Sequence, residues 1–188
     1  MTSPTIPTYE IGVSTTGPAY YLNPKNPVAI ASALVILQNL QSQGSLTLQS
    51  SNPSEPLKFK TNFLSHPFDR RLAIESMRDA LRLIHSEAFE KDGVQAIQEP
   101  ASTSDEDILQ FWRANATTTW HMSGTCSMDR DGAQGGVVDR DFRVYGVQGL
   151  RVADCSIFPF VPSAHLQAHA YQVGLIAAEK MIAEYKLG

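Results

Sequence analysis

The sequence has only two cysteines, Cys126 and Cys155, among 188 residues. Two cysteines are too few for a disulfide framework. Apart from His121, neither has a second cysteine or a histidine nearby at metal-ligand spacing, so we expect no metal site and predict two small buried thiols. Runs of basic residues are also missing, and the net charge is −4. This charge argues against nucleic acid or an anionic membrane surface as a partner.

Long hydrophobic runs are absent as well. The apolar segment 28–40 is too short to cross a bilayer. The first residues lack the basic and apolar regions of a secretory signal. We therefore expect a cytoplasmic protein without a membrane partner. Hydrophobic residues still make up 43% of the chain, which is enough to form a core.

Residues 1–40 are predicted to form an extended arm or a segment that covers the rest of the chain. Five of the eleven prolines lie in its first 27 positions, and proline breaks helices and removes backbone donors. The apolar run that follows fits either a helix or a buried strand. Residues 41–188 are expected to form one domain.

The hydrophobic pattern predicts an α+β fold, with a small, mostly antiparallel sheet and packed helices. Alternating residues indicate strands near Leu46 and Leu48 and at 57–61, followed by a helix with Asp69 as its N-cap. The apolar face of this helix recurs every three or four positions and contains Ile74, Met77, Leu81, Ile84 and Ala88. Ser104 is predicted to begin a short helix.

The last third of the chain is predicted to contain two short strands and one long helix. The strands are expected at 143–145 and 150–152, around a glycine-containing turn. The helix is expected at about 164–185. Its predicted inner face consists of Leu166, Ala170, Val173, Ala177 and Met181.

Two of the five histidines, His121 and His165, are candidates for acid–base chemistry. His165 lies at the expected start of the last helix, where the helix dipole favours a neutral imidazole ring. Two neutral rings that face one cavity can divide the roles of acid and base near neutral pH. Histidines are more often structural, which is our interpretation of His66 and His85. Spacing alone leaves both interpretations open for His121 and His165.

A series of motifs in fixed order resembles the glucose–methanol–choline (GMC) oxidoreductase family. The strings are WHMSGTCSM at 120–128, GVVD at 136–139, RVYGV at 143–147, GLRVAD at 149–154 and SIFP at 156–159. The resemblance extends from about Ser42 to the end of the chain. It implies the fold of that family's substrate domain together with its C-terminal helix.

The resemblance also implies roles for individual residues. His121 corresponds to the family's catalytic histidine, which takes the hydroxyl proton as hydride leaves for the flavin. His165 corresponds to a second position, filled by His or Asn. The cofactor-contacting positions fall on Asp154, Leu166 and Gln167. We also expect five residues to line a substrate cavity: Trp120, Phe158, Phe160, His169 and Tyr171.

The Gly-x-Gly-x-x-Gly turn that holds the FAD pyrophosphate in such enzymes does not occur in the sequence. We therefore expect an enzyme without a cofactor that isomerises, dehydrates or cyclises a small, largely apolar natural-product type of molecule. An alternative is one half of an FAD-dependent alcohol oxidoreductase, whose partner chain supplies the flavin domain. A non-catalytic binding module is a third interpretation. Surfaces that the missing domain would cover predict a homo-oligomer or a flavin-domain partner.

Overall fold

The computed structural model describes residues 6–15, 30–91, 93, 95–132 and 135–187. Over these residues the protein has an α+β fold with two antiparallel strand pairs and four α-helices. This confirms the predicted class, although the strands form two separate pairs and not one sheet. The chain divides into two compact units, Met1–Thr117 and Thr118–Gly188. The predicted boundary after residue 40 stays a prediction.

Strands β1 (Tyr9–Ser14) and β2 (Ser32–Leu37) form the first antiparallel pair of unit 1. The register aligns Tyr9 with Leu37 and Ser14 with Ser32. The strand alternative for the apolar run 28–40 is therefore correct over 32–37, whereas residues 28 and 29 lie outside the described part. Strands β3 (Ser45–Thr47) and β4 (Lys58–Lys60) lie where two strands were predicted, except that Leu48 falls outside β3, and they form the second antiparallel pair.

Helix α1 (Pro67–Ile84) begins three residues earlier than the predicted N-cap implies. The N-cap is His66, whose Nδ1 accepts a hydrogen bond from the Phe68 N–H at 3.2 Å, and a proline is well suited to the first helical position. The predicted N-cap, Asp69, is instead fully buried. Its carboxylate accepts hydrogen bonds from the N–H groups of Gln41 at 2.9 Å and Ser42 at 2.7 Å.

Helix α1 packs against α3 (Asp105–Asn115) to form the core of unit 1. The short helix α2 (Glu87–Glu90) lies between them in sequence and contains Ala88, which is exposed and does not belong to the α1 stripe as predicted. Ser104 caps α3 as predicted, since its side chain accepts from the Asp107 N–H. The buried residues of this core are Ile74, Met77, Leu81 and Ile108.

Unit 2 is built mostly from loops around a single long helix, α4 (Gln167–Tyr185). The predicted strands at 143–145 and 150–152 are wrong: the structure has isolated bridges there, among them one between Arg143 and Arg151. A one-turn 3-10 helix (Cys155–Ile157) precedes α4. The buried residues of the unit 2 core are Val138, Phe142, Ile157, Val173 and Ala177.

The predicted inner face of α4 is correct only in part. Val173 and Ala177 are buried and Met181 is half-buried, but Ala170 is exposed. Several large apolar side chains on this helix are exposed too: Tyr171, Leu175, Ile176, Ile182 and Tyr185. Among the described residues, no helix is both long enough and apolar enough to span a bilayer.

Gly136 is the position in unit 2 where a side chain fits least well. Its N–H donates to the Asp129 carboxylate at 3.0 Å, and an added Cβ would overlap the same carboxylate group. We expect Gly136→Ala to lower the free energy of unfolding by about 1–2 kcal/mol because the loop must shift to relieve the overlap. Urea denaturation measures this change.

Gly174→Ala is the matched control for this substitution. Gly174 lies within α4, and an added Cβ would meet no atom within 4 Å. Alanine favours a helix over glycine, so we expect stabilisation by about 0.5–1 kcal/mol. Equal stability changes in both variants would contradict the structural assignment of Gly136.

Candidate active site around His121 and His165

The loop that carries His121 lies against the segment around the 3-10 helix. The N–H of Cys126 donates to the carbonyl of Ser156 at 2.9 Å, and the N–H of Met128 donates to that of Ile157 at 2.8 Å. A Cβ at Gly124 would lie 3.3 Å from the Phe158 carbonyl oxygen. This close approach leaves little room for a larger residue and holds the His121 loop next to residues 156–158.

Trp120, directly before His121, has a left-handed backbone with φ of 62°. Bulky residues rarely adopt this conformation because Cβ crowds the backbone. The Trp120 N–H donates to Thr118 Oγ1 at 3.0 Å, which supports the turn locally. Strained residues of this kind occur more often at functional sites than elsewhere.

His165 lies in the turn before α4 and not within the helix. The helix begins at Gln167 and its N-cap is Leu166, so the predicted start at residue 164 is wrong. The Ala164 N–H donates to the Pro162 carbonyl at 2.8 Å, and this local bond turns the chain just before the helix. His165 therefore lies beyond the positive end of α4, close to where the dipole argument placed it.

The structure brings the two candidate histidines together. The ring centroids of His121 and His165 are 5.6 Å apart, and the rings are nearly perpendicular at 84°. His121 is half-buried and His165 is exposed. A group bound beside the pair would reach both imidazole rings, as shared acid–base chemistry requires. Their catalytic role stays a prediction.

The predicted substrate-lining residues fall into two groups. Phe158 and His169 are half-buried and in contact, with ring centroids 6.1 Å apart. Trp120, Phe160 and Tyr171 are 76%, 85% and 74% exposed, so in unit 2 they lie on the surface and do not enclose a cavity.

Two further exposed apolar residues were not predicted from the sequence. Met122 directly follows His121, and Val161 directly follows Phe160. Their position beside predicted site residues is the signal that could have identified them.

The three predicted cofactor-contacting residues lie in two segments of unit 2, one at the 3-10 helix and one at the start of α4. Asp154 caps the 3-10 helix, and its carboxylate accepts from the Ser156 N–H at 2.8 Å. The Leu166 side chain is buried, whereas Gln167 is exposed. The N-cap of α4, Leu166, makes no side-chain hydrogen bond to the first turn of the helix.

Among the described residues of unit 2, three buried polar atoms have no hydrogen-bond partner: Ser123 Oγ, Ser156 Oγ and His169 Nδ1. Buried polar atoms normally have partners, so these three atoms are exceptions to the usual pairing. The described residues contain no group of three His, Cys, Asp or Glu side chains that could hold a metal ion. Both cysteines are free and half-buried, and not fully buried as predicted.

A charged network anchors the other end of α4. The guanidinium of Arg143 pairs with Glu184 at 2.7 Å, and that of Arg151 donates to the Tyr185 hydroxyl at 2.9 Å. Lys180 pairs with Asp141 at 2.6 Å. An open depression of about 390 Å³ lies at this end, and none of the predicted site residues line it. The network thus holds the helix whose first turn follows His165.

The pKa of Asp141 is lowered, mainly by its hydrogen bond and charge interaction with Lys180. A carboxyl group with a lowered folded-state pKa stabilises the fold above its unfolded pKa, and this contribution is lost as pH falls through the folded value. We expect Lys180→Met to raise the pKa of Asp141 and to lower the melting temperature at neutral pH. The difference in melting temperature between the variant and wild type should shrink as the pH falls below about 4, the ordinary pKa of an aspartate side chain.

The measurement is the melting temperature of both proteins across this pH range. A matched control is Lys91→Met, which removes an exposed pair with Glu87 on the surface of α2. A melting-temperature difference for Lys180→Met that stays constant with pH would contradict the assigned role of the Asp141 carboxylate.

Comparison with known proteins agrees with this architecture. A family model described as GMC oxidoreductase matches residues 41–174, which is well over half of the chain. The chain belongs to the GMC oxidoreductase family. The match covers the loop of His121, the turn of His165 and the first turns of α4.

Relatives of this GMC chain are oxidoreductases. It is 36% identical over 147 residues to the dehydrogenase pkfF of Emericella nidulans. This alignment covers 78% of this chain and 23% of that protein. It is 38% identical over 151 residues to pyranose dehydrogenase 3 of Leucoagaricus meleagris, with 78% and 25% covered. The chain therefore spans about a quarter of the length of these relatives.

A solved structure of formate oxidase from Aspergillus oryzae superimposes on 96% of this GMC chain and 32% of that chain, with a TM-score of 0.82 and 26% identity. An FAD-dependent oxidoreductase from Chaetomium thermophilum covers 85% of this chain, with 28% of its own length matched, a TM-score of 0.77 and 29% identity.

Proposed function

We propose that unit 2 supplies the acid–base residues of a flavin-dependent enzyme that oxidises a hydroxyl group on a small molecule. The observation that supports this most directly is the contact between the His121 and His165 rings, 5.6 Å apart at 84°. These histidines come from two loops that are distant in sequence. Family membership and the oxidoreductase relatives support the same proposal.

In this proposal His121 is the base. A nitrogen of its ring accepts the proton of the substrate hydroxyl as the C–H bond breaks. His165 donates a hydrogen bond to the same oxygen and holds it near His121, a role that Asn can also fill. The first task needs a ring nitrogen of His121 that can accept a proton, and the second needs an N–H of His165 that can donate.

The substrate is proposed to be small and largely apolar. Trp120 and Met122 flank His121 and are both mostly exposed. Phe160 and Val161, on the chain segment before His165, are exposed too. Aromatic and aliphatic side chains of this kind bind an apolar body while a few polar groups orient the reacting end.

The residues of unit 2 fit a flavin at one side of this site. The N-cap of α4, Leu166, makes no side-chain hydrogen bond, and the first turn of this helix is proposed to offer backbone donors to the flavin. Asp154, Leu166 and Gln167 are the residues proposed to contact it. Bound FAD would supply the acceptor for the hydride.

The exposed apolar side chains of α4 support the proposal that a partner covers this helix. Tyr171 and Leu175 are 74% and 61% exposed, and apolar surfaces of this kind generally bind something. We propose that an FAD-binding segment outside these 188 residues packs there. A second copy of the chain is the alternative cover, and light scattering of the isolated chain distinguishes a dimer from a monomer.

A second candidate function is acid–base chemistry without a cofactor, as in isomerisation, dehydration or cyclisation. This candidate is favoured by one observation: residues of unit 2 alone complete the His121–His165 pair. A proton could then move between two positions of one substrate without any redox step.

Absorbance spectroscopy separates the two candidates. We expect the chain, when combined with an FAD-binding segment of a GMC oxidoreductase, to retain FAD after desalting and to lose its yellow colour on reduction by an alcohol substrate. A complex that forms but leaves FAD oxidised with a panel of aromatic, aliphatic and sugar alcohols would contradict the oxidation proposal. Turnover by the colourless chain would favour the second candidate.

A further inference from the structure

The two cysteines of the chain lie in segments that are joined by backbone hydrogen bonds. Cys126 donates its N–H to Ser156, the residue directly after Cys155, at 2.9 Å. The next bond, from Met128 to Ile157 at 2.8 Å, keeps the two segments side by side. Both thiols are free and half-buried. We infer that Cys126 and Cys155 form a reversible disulfide that links the His121 loop to the turn capped by Asp154.

The backbone hydrogen bonds place the two cysteines in neighbouring positions. Cys126 bonds the carbonyl of Ser156, and one trans peptide separates the Cα atoms of Ser156 and Cys155 by about 3.8 Å. A disulfide needs Cα atoms about 4.4–6.8 Å apart. The proposed bond requires the His121 loop and the 3-10 helix to bring Cys126 and Cys155 to this distance.

The accessibility of the thiols also fits a reversible bond. Half-buried cysteines can meet a small oxidant, whereas fully buried thiols are inert. No other cysteine occurs in the sequence, so each thiol has one intramolecular partner. Residues 126 and 155 are separated by fewer than thirty positions, and closing a loop of this size restricts the unfolded chain.

The proposed oxidant is a small-molecule disulfide such as oxidised glutathione. One cysteine thiolate attacks a sulfur of the oxidant, so that its S–S bond breaks, a mixed disulfide forms and one glutathione thiolate leaves. The second cysteine thiolate then attacks the cysteine sulfur of the mixed disulfide and releases the other glutathione. Two protein thiols lose two protons and two electrons in total, and the oxidant is reduced to two thiols.

The bond would act on the candidate active site. Cys126 follows His121 in the same loop, and Cys155 directly follows Asp154. A disulfide between these cysteines would fix the distance between the His121 loop and the turn that Asp154 caps. This inference concerns the two cysteines alone. It does not depend on whether the enzyme oxidises an alcohol substrate.

The test treats the 188-residue chain with oxidised glutathione and measures its intact mass without reduction. We expect loss of both free thiols, a mass decrease equal to two hydrogen atoms, and reversal by dithiothreitol. A peptide map should contain a cross-linked pair with Cys126 and Cys155. Stable glutathione adducts on both cysteines, or disulfide-linked dimers, would overturn the inference.

Single variants supply the controls. Cys126→Ser and Cys155→Ser each leave one thiol, and we expect a stable glutathione adduct in place of the internal bond. In wild type, the imidazole NMR signals of His121 should shift on oxidation, while those of His85 in unit 1 should not. Should a serine variant unfold, the corresponding alanine variant replaces it. Unchanged His121 signals in the cross-linked protein would contradict the proposed effect on the loop.

Discussion

Replacing His121 with alanine is expected to slow substrate-dependent FAD reduction by about 10²–10⁴-fold, the usual contribution of a positioned general base. The loss follows from the contact between His121 and His165, because removing the base leaves the substrate proton without an acceptor. Stopped-flow absorbance of the complex with an FAD-binding segment measures this rate. A rate close to that of wild type would remove His121 from the mechanism.

Two further variants show whether the effect is specific to the His pair. His165→Asn is expected to lose less activity than His165→Ala, since the amide still donates a hydrogen bond. His85→Ala is the matched control: His85 contacts Glu99 at 2.8 Å in unit 1, and its loss should leave the rate unchanged. The double variant of His121 and His165 should lose less than the sum of the single effects, because residues that act together are not additive.

Replacing Ile108 with alanine is expected to lower the free energy of unfolding of unit 1 by about 2–5 kcal/mol. Ile108 is fully buried and packs with Ile74, Met77 and Leu81 between α1 and α3. Alanine leaves a cavity that this helix pair can fill only in part. Denaturant unfolding followed by helical circular dichroism measures the change.

Ile97→Ala is the matched control for Ile108→Ala. Ile97 belongs to the same unit but is 55% exposed, and surface substitutions usually change stability by less than about 0.5 kcal/mol. If both variants lost the same stability, the assigned core would be wrong.

In the described part, the sequence predicted helices α1, α3 and α4 and strands β3 and β4 from local patterns, but it predicted neither β1 nor α2. Ser104 is a good N-cap whose partner lies three residues away. The start of α1 was misplaced because Asp69 also has a capping side chain, yet it binds the backbone of Gln41 and Ser42. Only the folded chain brings those donors to it.

The sequence supplied candidate residues for the site but not their geometry. Motif order identified His121 and His165, but their contact depends on how two loops pack in unit 2. The exposure of Trp120, Phe160 and Tyr171 could not be derived from the sequence. The sequence pattern of a motif does not distinguish aromatic residues that are buried in a core from those that face a partner.

The left-handed backbone of Trp120 has a consequence for laboratory evolution of this site. With φ at 62°, position 120 accepts glycine and asparagine with little strain, whereas valine, isoleucine and threonine are strongly disfavoured. A saturation library at this codon should therefore be depleted of β-branched residues among well-expressed clones, before any selection for activity. The backbone conformation would therefore limit the residues that are available at position 120 for changing substrate specificity.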